Sequence, residues 1–295
     1  MKKILVFGGS GLVGSTFIDL YSQNFEINAP NATMIDILKK DQISEIVNEF
    51  NPDSIVNFAA YTNVEEAEKQ NNDKNGICFQ VNAIGAKNVA EAAKQFDKHL
   101  VFISTEYVFD GKKEISPYVE DDLPNPMNWY GQTKLTGEQF VLEVGGKNVI
   151  VRISMPFSAD YKLKKDIARF FLEKLKIGQA LKAVEDQRIT PILVNDIANA
   201  LNALLENQSN GSYHISSRDS VTPLEFAKTV AETFHLDYSL IGSVSLDEFN
   251  KNKQAKLLKY SWLNPAKFEK EFGDQILHTV EENMSLFKRE IDQIS

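Results

Sequence analysis

Apolar and polar positions follow two alternating periods along the first half of the chain. Ile4–Phe7 is a short, wholly apolar run that ends in glycine, the pattern of a strand buried on both faces. Gly14–Tyr21 then carries apolar residues at helical spacing. Phe25–Ala29 reads as a second strand, stopped by Pro30. In Asp41–Phe50, Ile43, Ile46, Val47 and Phe50 share one helix face, and Asn51-Pro52-Asp53 breaks the run. Ser54–Ala60 is a further strand, Asn82–Phe96 an alanine-rich helix, and His99–Thr105 a fourth strand. Tyr130–Glu143 is helical up to a C-cap at Gly145-Gly146, and Val149–Ser154 is another strand. Strands alternating with helices predict an α/β fold built on a doubly wound, parallel Rossmann-type sheet.

The pattern loosens after Ser154. Lys162–Lys176 reads as a basic amphipathic helix with Ile167, Phe170, Phe171 and Leu175 on its apolar side. Asn195–Glu206 is a helix, Tyr213–Ser216 a short strand, and Leu224–Phe234 a helix with Thr222 as N-cap and Pro223 in its first turn. Pro265–Phe272 and Gln275–Ile291 are helical. No repeat or low-complexity linker separates the halves. The expected division is therefore interleaved: a dinucleotide-binding domain over 1–155 plus about 188–216, and a smaller α/β substrate lobe over about 156–187 and 217–295.

Composition narrows the function. The 295 residues are 43% hydrophobic and 25% charged, as in soluble globular proteins. With 32 Lys+Arg against 41 Asp+Glu the net charge is −9, which argues against a nucleic-acid partner. One cysteine, Cys78, excludes an internal disulfide, and four scattered histidines offer no metal cluster, so no metal is expected. The apolar run after Met1-Lys2-Lys3 stops at Gly8, too short for a signal peptide, and no stretch reaches the ~20 apolar residues of a membrane span. The expected location is cytoplasmic.

Strand 1 runs into Gly8-Gly9-Ser10-Gly11-Leu12-Val13-Gly14, which satisfies G-x-G-x-x-G from Gly9. Glycines let the backbone approach a pyrophosphate, and the helix that follows offers free N–H groups and a positive dipole end. The motif follows a strand and precedes a helix, the context it requires. Nicotinamide dinucleotides are the first candidates. The tip of strand 2, near Asn28, is neither acidic nor basic, so NADP and NAD both stay open. Asp36, 22 residues past Gly14, has two readings, a contact to adenine or ribose and a cap on the next helix.

Tyr130 and Lys134 form Y-x-x-x-K, one helix face at i and i+4. A nearby ammonium and a positive nicotinamide ring are expected to lower the tyrosine pKa, and the lysine also suits ribose hydroxyls. Ser104-Thr105 ends the fourth strand, where an open α/β sheet places its ligand. A hydroxyl there, with Tyr130, polarises a carbonyl.

The chain resembles the extended short-chain dehydrogenase/reductases and, within them, the dTDP-4-dehydrorhamnose reductase family. Residues 57–68, beginning Asn57-Phe58-Ala59-Ala60-Tyr61-Thr62-Asn63, and Val81-Asn82-Ala83 carry part of the resemblance. The rest lies in Ile103-Ser104-Thr105-Glu106-Tyr107-Val108-Phe109-Asp110-Gly111, Tyr130-Gly131-Gln132-Thr133-Lys134-Leu135-Thr136-Gly137-Glu138 and Val151-Arg152-Ile153-Ser154. The resemblance implies NAD(P)H-dependent reduction of the C4 ketone of a nucleotide-linked 6-deoxy-4-hexulose, in dTDP-rhamnose biosynthesis. Thr105, Tyr130 and Lys134 would be catalytic. Gly8, Gly11, Leu12, Val13, Gly14, Asp36, Ile37, Ala59, Ala60, Tyr61, Asn82 and Ser104, with Tyr130 and Lys134, would hold the cofactor. Glu106, Phe109 and Asn63 would meet the substrate. A homodimer stays open as the assembly. Two alternatives remain: another nucleotide-sugar reductase, epimerase or dehydratase, and a regulatory subunit like that of methionine adenosyltransferase.

Three departures from the family pattern lie where substrate is read. Glu106 stands where Asp is usual. Leu258-Lys259-Tyr260-Ser261-Trp262-Leu263 lacks the usual Arg-Pro, and Ser154-Met155-Pro156-Phe157-Ser158 replaces T-S-W-V-Y-G. Outside these, Lys162, Lys164, Lys165 and Arg169 read either as a diphosphate clamp or as a solvated face. Cys78 reads as a small buried hydrophobe, Trp129 as packing, and Asp121-Asp122 as loop surface.

Overall fold

The computed structural model describes residues 1–160, 163 and 165–294. Its centre is a six-stranded sheet of β1 (Lys2–Phe7), β2 (Phe25–Asn28), β3 (Ser54–Asn57), β4 (His99–Thr105), β5 (Asn148–Ile153) and β6 (Gly211–Ile215). The order is β6-β5-β4-β3-β1-β2, and every neighbouring pair is parallel. All seven residues of β4 and all six of β5 are buried, because helices cover both faces. On one face Ile4, Val6, Val101, Val149 and Val151 pack against Phe17 and the Val194–Glu206 helix. On the other, Leu5, Phe7, Ile55, Leu100 and Phe102 pack against Val47, Val89 and Val141. The strand order reverses between β1 and β3, so a crevice opens at the carboxyl ends of β1, β3 and β4.

The elements differ from the sequence pattern mostly at their ends. β3 stops at Asn57 rather than running to Ala60, because the Asn57 side chain accepts the Ala59 N–H at 3.0 Å and turns the chain. The alanine-rich helix is regular only over Ala86–Gln95. Gln80–Gly85 before it is wound as a π-helix, a form that often marks functional sites. The basic helix begins only at Ile167, capped by Asp166, whose carboxylate accepts the Arg169 N–H. The Thr222 cap is a full capping box closed by Glu225.

A second core gathers Phe157, Phe171, Leu172, Phe226, Val230, Met284 and Phe287 around the helices Ile167–Lys176, Pro223–Phe234 and Val280–Ile294. The chain interleaves further than the expected boundaries drew it. Phe268 and Leu277, late in the chain, pack into the core of the main sheet, and Arg188–Ile189 pairs with Tyr260–Ser261 instead of joining that sheet.

The helix Trp129–Val144 lies at backbone distance from the turn after β4 and from the π-helical segment Gln80–Gly85. A Cβ on Gly131 would sit 2.1 Å from the Tyr107 carbonyl oxygen, and one on Gly137 would sit 2.3 Å from that of Asn82. Neither oxygen is the end of a flexible side chain. Gly131→Ala is therefore expected to destabilise the fold by about 2 kcal/mol or more. Thermal unfolding of the variant against the parent checks this, and an unchanged melting temperature would show that the helix has room to move.

Candidate active site

The crevice is a cavity of about 870 Å³. Its floor is the turn from Gly8 to Gly14. Gly8 holds φ +77°, and a Cβ there would meet the Ala59 backbone nitrogen at 2.5 Å, so the turn packs directly on the chain leaving β3. A Cβ on Gly14 would come 2.7 Å from the Gly8 carbonyl oxygen. Gly11 caps the Leu12–Tyr21 helix without a side chain, which leaves the first N–H groups free of a side-chain acceptor. Gly8, Gly11, Leu12, Val13 and Gly14 all line the cavity, as do Asp36, Ile37, Ala59 and Ala60. Asp36 lines the cavity, and its carboxylate accepts the Leu38 N–H at 2.9 Å in the turn ahead of the Lys40–Phe50 helix, which Lys39 starts without a side-chain cap.

The far wall brings Ser104, Thr105, Glu106, Tyr107, Tyr130 and Lys134 together. Thr105 ends β4, and its hydroxyl donates to Glu106 Oε2 at 2.7 Å and accepts the Tyr107 N–H. Tyr130 and Lys134 share the inner face of their helix, which starts at the Asn128 cap. Lys134 Nζ donates to the Ile103 carbonyl at 2.7 Å and lies 4.2 Å above the Phe102 ring. Burial, partly opposed by Glu138, brings this lysine down to about 8. Burial likewise pushes the Glu106 carboxyl up to about 7, against hydrogen bonds from Thr105, Ser154 and backbone N–H groups. Tyr130 departs from expectation. Burial, with Glu106 next, raises its pKa above the ordinary range, and the Thr105 hydroxyl works in the other direction.

Several expected site residues sit elsewhere. Phe109 is fully buried, stacked on Tyr118 at 4.2 Å and under Arg152, because the turn after β4 carries it into a satellite core. Asn63 is exposed and caps the short Val64–Glu68 helix by accepting the Glu66 N–H. Asn82 is buried behind the wall. Its side chain accepts the Tyr61 N–H at 2.8 Å, donates to the Tyr61 carbonyl and reaches Thr133, so it fixes the loop that presents Ala59 and Ala60. Tyr61 packs with Trp129 and Cys78 rather than facing the cavity. Ser104 lines the cavity, yet its hydroxyl donates to Glu138. Of the basic cluster, Lys162 and Lys164 lie outside the described residues, Lys165 pairs with Glu173, and Arg169 with Asp166. Burial raises the Cys78 thiol, while Trp129 stacks on Phe79 and Asp122 holds Lys113.

The sequence pattern marked Glu138 and Arg152 only as letters in motifs. In the structure they form a buried, two-pronged ion pair directly under the site, at 2.7 and 3.0 Å. The Glu138 carboxylate also takes the Ser104 hydroxyl, so one group ties helix, β4 and β5. His214 closes the network. Its Nδ1 faces the Tyr118 carbonyl and therefore carries the hydrogen, which turns its Nε2 lone pair toward an Arg152 N–H at 3.4 Å. Burial and the Arg152 charge bring it down to about 3, so it is neutral.

Comparison with known proteins agrees with this arrangement. The family model described as RmlD substrate binding domain matches residues 1–290. The chain belongs to that family. Its fold superposes on a dTDP-4-dehydrorhamnose reductase from Bacillus anthracis, solved in complex with NADP, with a TM-score of 0.89 and 31% identity, covering 98% of this chain and 99% of that one. A dTDP-4-dehydrorhamnose reductase from Aggregatibacter actinomycetemcomitans is 29% identical over 93% of this chain and 95% of its own. Methionine adenosyltransferase 2 subunit beta from Rattus norvegicus is 27% identical over 81% of this chain and 74% of its own.

Removing half of the buried pair leaves the other half charged and unpaired. Glu138→Gln is expected to cost about 3–5 kcal/mol, measured by denaturant unfolding, while Glu138→Leu with Arg152→Met recovers much of the loss. A single variant as stable as the parent would show that the pair holds nothing in place.

Proposed function

We propose that the protein reduces the C4 ketone of dTDP-4-dehydrorhamnose, a nucleotide-linked 6-deoxy-4-hexulose, using a nicotinamide dinucleotide. One observation carries this reading. Thr105, Tyr130 and Lys134 converge on the same cavity that runs back to the glycine turn. The turn suits a dinucleotide, since side chains on Gly8 or Gly14 would collide with backbone and the helix start leaves N–H groups for a pyrophosphate. When bound, the reduced dinucleotide supplies the hydride to C4.

The chain's own residues then hold and neutralise the oxygen. Tyr130, kept protonated by burial, is the acid that protonates the developing alkoxide. Thr105 supplies the second contact to that oxygen at the end of β4. Lys134, anchored on Ile103, binds the ribose hydroxyls and places a positive charge behind Tyr130. Ile103, Ile153 and Ile167 exclude water from the reacting end. At the tip of β2 the chain reads Asn28-Ala29-Pro30-Asn31, with no acidic side chain on it, and the Bacillus anthracis relative is solved with NADP. This supports acceptance of NADPH, with NADH as the second candidate. The reading puts the protein in the cytoplasm with a nucleotide sugar as its small-molecule partner. The assembled Thr105, Tyr130 and Lys134 favour catalysis by this chain over service as a subunit of another enzyme, the alternative that the rat relative's name raises.

Stoichiometric oxidation of NADPH in the presence of the keto sugar tests the reaction, because epimerases and dehydratases recycle a bound cofactor instead. Tyr130→Phe is expected to lower kcat by roughly 10²–10⁴-fold with the fold intact. Turnover retained in that variant would remove Tyr130 from its role, and no turnover by the parent would remove the reductase reading.

A further inference from the structure

The Thr105 hydroxyl has more partners than protons. Its oxygen stands 2.7 Å from Glu106 Oε2 and also hydrogen-bonds with Tyr130. A hydroxyl carries one hydrogen and two lone pairs, so it cannot donate to both at once. While Glu106 is a carboxylate it only accepts, and it takes the Thr105 hydrogen. Thr105 then has no hydrogen left for the cavity, since one lone pair holds the Tyr107 N–H and the other faces Tyr130. Once Glu106 is protonated its own O–H donates to Thr105, and the Thr105 hydrogen is free to point into the cavity.

We propose, resting on the reductase reading above, that Glu106 is a positioning residue whose protonation state sets which way the Thr105 hydroxyl points, and so whether the substrate carbonyl meets one donor or two. With Glu106 charged, Tyr130 is the sole donor and Thr105 offers the substrate oxygen no hydrogen. With Glu106 neutral, Tyr130 and Thr105 both donate. Passing from the charged to the neutral state takes up one proton from solvent as the Glu106 O–H, which reverses the hydrogen bond to Thr105; the reduction itself consumes no proton at Glu106.

The surroundings make such a reversal accessible. Glu106 is 4% exposed and lies on the cavity wall. Ser154 and the Met155 N–H reach it from the end of β5, Thr105 precedes it, and Tyr107 and Tyr130 are the titratable groups that face it. Both tyrosines are held neutral by burial, so the carboxyl is the member of this group that changes charge near neutral pH, where its own burial has moved it. Lys134, brought down to about 8, titrates next to it through a separate contact.

Two measurements test this. In the protein without substrate, infrared titration of ¹³C-glutamate-labelled enzyme should show a carboxyl with a midpoint near 7 that is absent in Glu106→Gln. Thr105→Val, which removes the donor to the charged form, should raise that midpoint. An unmoved midpoint in Thr105→Val overturns the link between the two groups. In turnover, kcat/KM of the parent should fall as pH rises through about 7 and 8, losing two protons in succession. Glu106→Gln keeps a permanent N–H donor toward Thr105, so its fall should begin later and follow a single proton, that of Lys134. A two-proton fall persisting in Glu106→Gln overturns the proposal. The infrared arm uses no substrate, so its outcome stands apart from failure of the reductase reading.

Discussion

The groups that converge on the cavity are placed by one constraint, the backbone-close packing of the Trp129–Val144 helix on the turn after β4 and on the π-helical segment Gln80–Gly85. Gly131 and Gly137 remove the side chains that would hold the helix away. Glu138, one residue after the second glycine, then reaches Ser104 on β4 and Arg152 on β5. The positive φ and tight Cβ space at Gly8 do the same for the phosphate turn against Ala59. Because Tyr130 directly precedes the first of these glycines and Lys134 lies between the two, their positions relative to Thr105 follow from backbone geometry rather than from loop conformation. Close backbone packing of this kind leaves little room for the helix to shift, which suits the alignment that the proposed hydride transfer needs.

The same packing sets the electrostatics. Closing helix on sheet withdraws the site from water, and each ionisable group there is driven toward its neutral form: Glu106 upward, Lys134 downward, Tyr130 upward. The lasting charge nearby is the Glu138–Arg152 pair, held by two hydrogen bonds and cushioned by a neutral His214. The protein as a whole carries −9, yet the ligands proposed for the cavity are anions. Backbone N–H groups at the glycine turn answer this, since they attract phosphate without adding a mobile cation.

Periodicity made the sheet legible, because buried parallel strands are short apolar runs and the helices between them keep a clear apolar face. The glycine turn and the Tyr130–Lys134 pair were legible for the same reason: their chemistry is set by spacing along one element. What escaped was fixed by contacts between distant segments. Nothing near Glu138 in the chain announces Arg152, and nothing near Asn82 announces the Tyr61 backbone it clamps. Phe109 and Asn63 were assigned to substrate by resemblance, while three-dimensional packing spends one on a core stack and the other on a helix cap. Burial of Tyr130, which the spacing of Tyr130 and Lys134 does not report, raises its pKa.

The three departures from the family pattern turn out to touch one another. The Glu106 carboxyl takes hydrogen bonds from the Ser154 hydroxyl and the Met155 N–H, and Ser154 Oγ stands 3.2 Å from the Ser261 carbonyl, to which it can also donate. Ser261 in turn lies on the short strand that pairs with Arg188–Ile189. One continuous path therefore leads from Thr105, through the longer acidic side chain, into the segment that replaces the usual Arg-Pro. A methylene added at Glu106 carries the carboxyl toward Met155, and a serine at 154 offers it a hydrogen bond that a purely apolar residue would not. The Ser154 hydroxyl has a single hydrogen to divide between the Glu106 carboxylate and the Ser261 carbonyl, so the charge on Glu106 bears on the second lobe as well as on Thr105. Read as separate changes, these residues each look like a loss of a substrate contact. Together they form one hydrogen-bonded unit that joins the Thr105 hydroxyl to the Leu258–Leu263 segment.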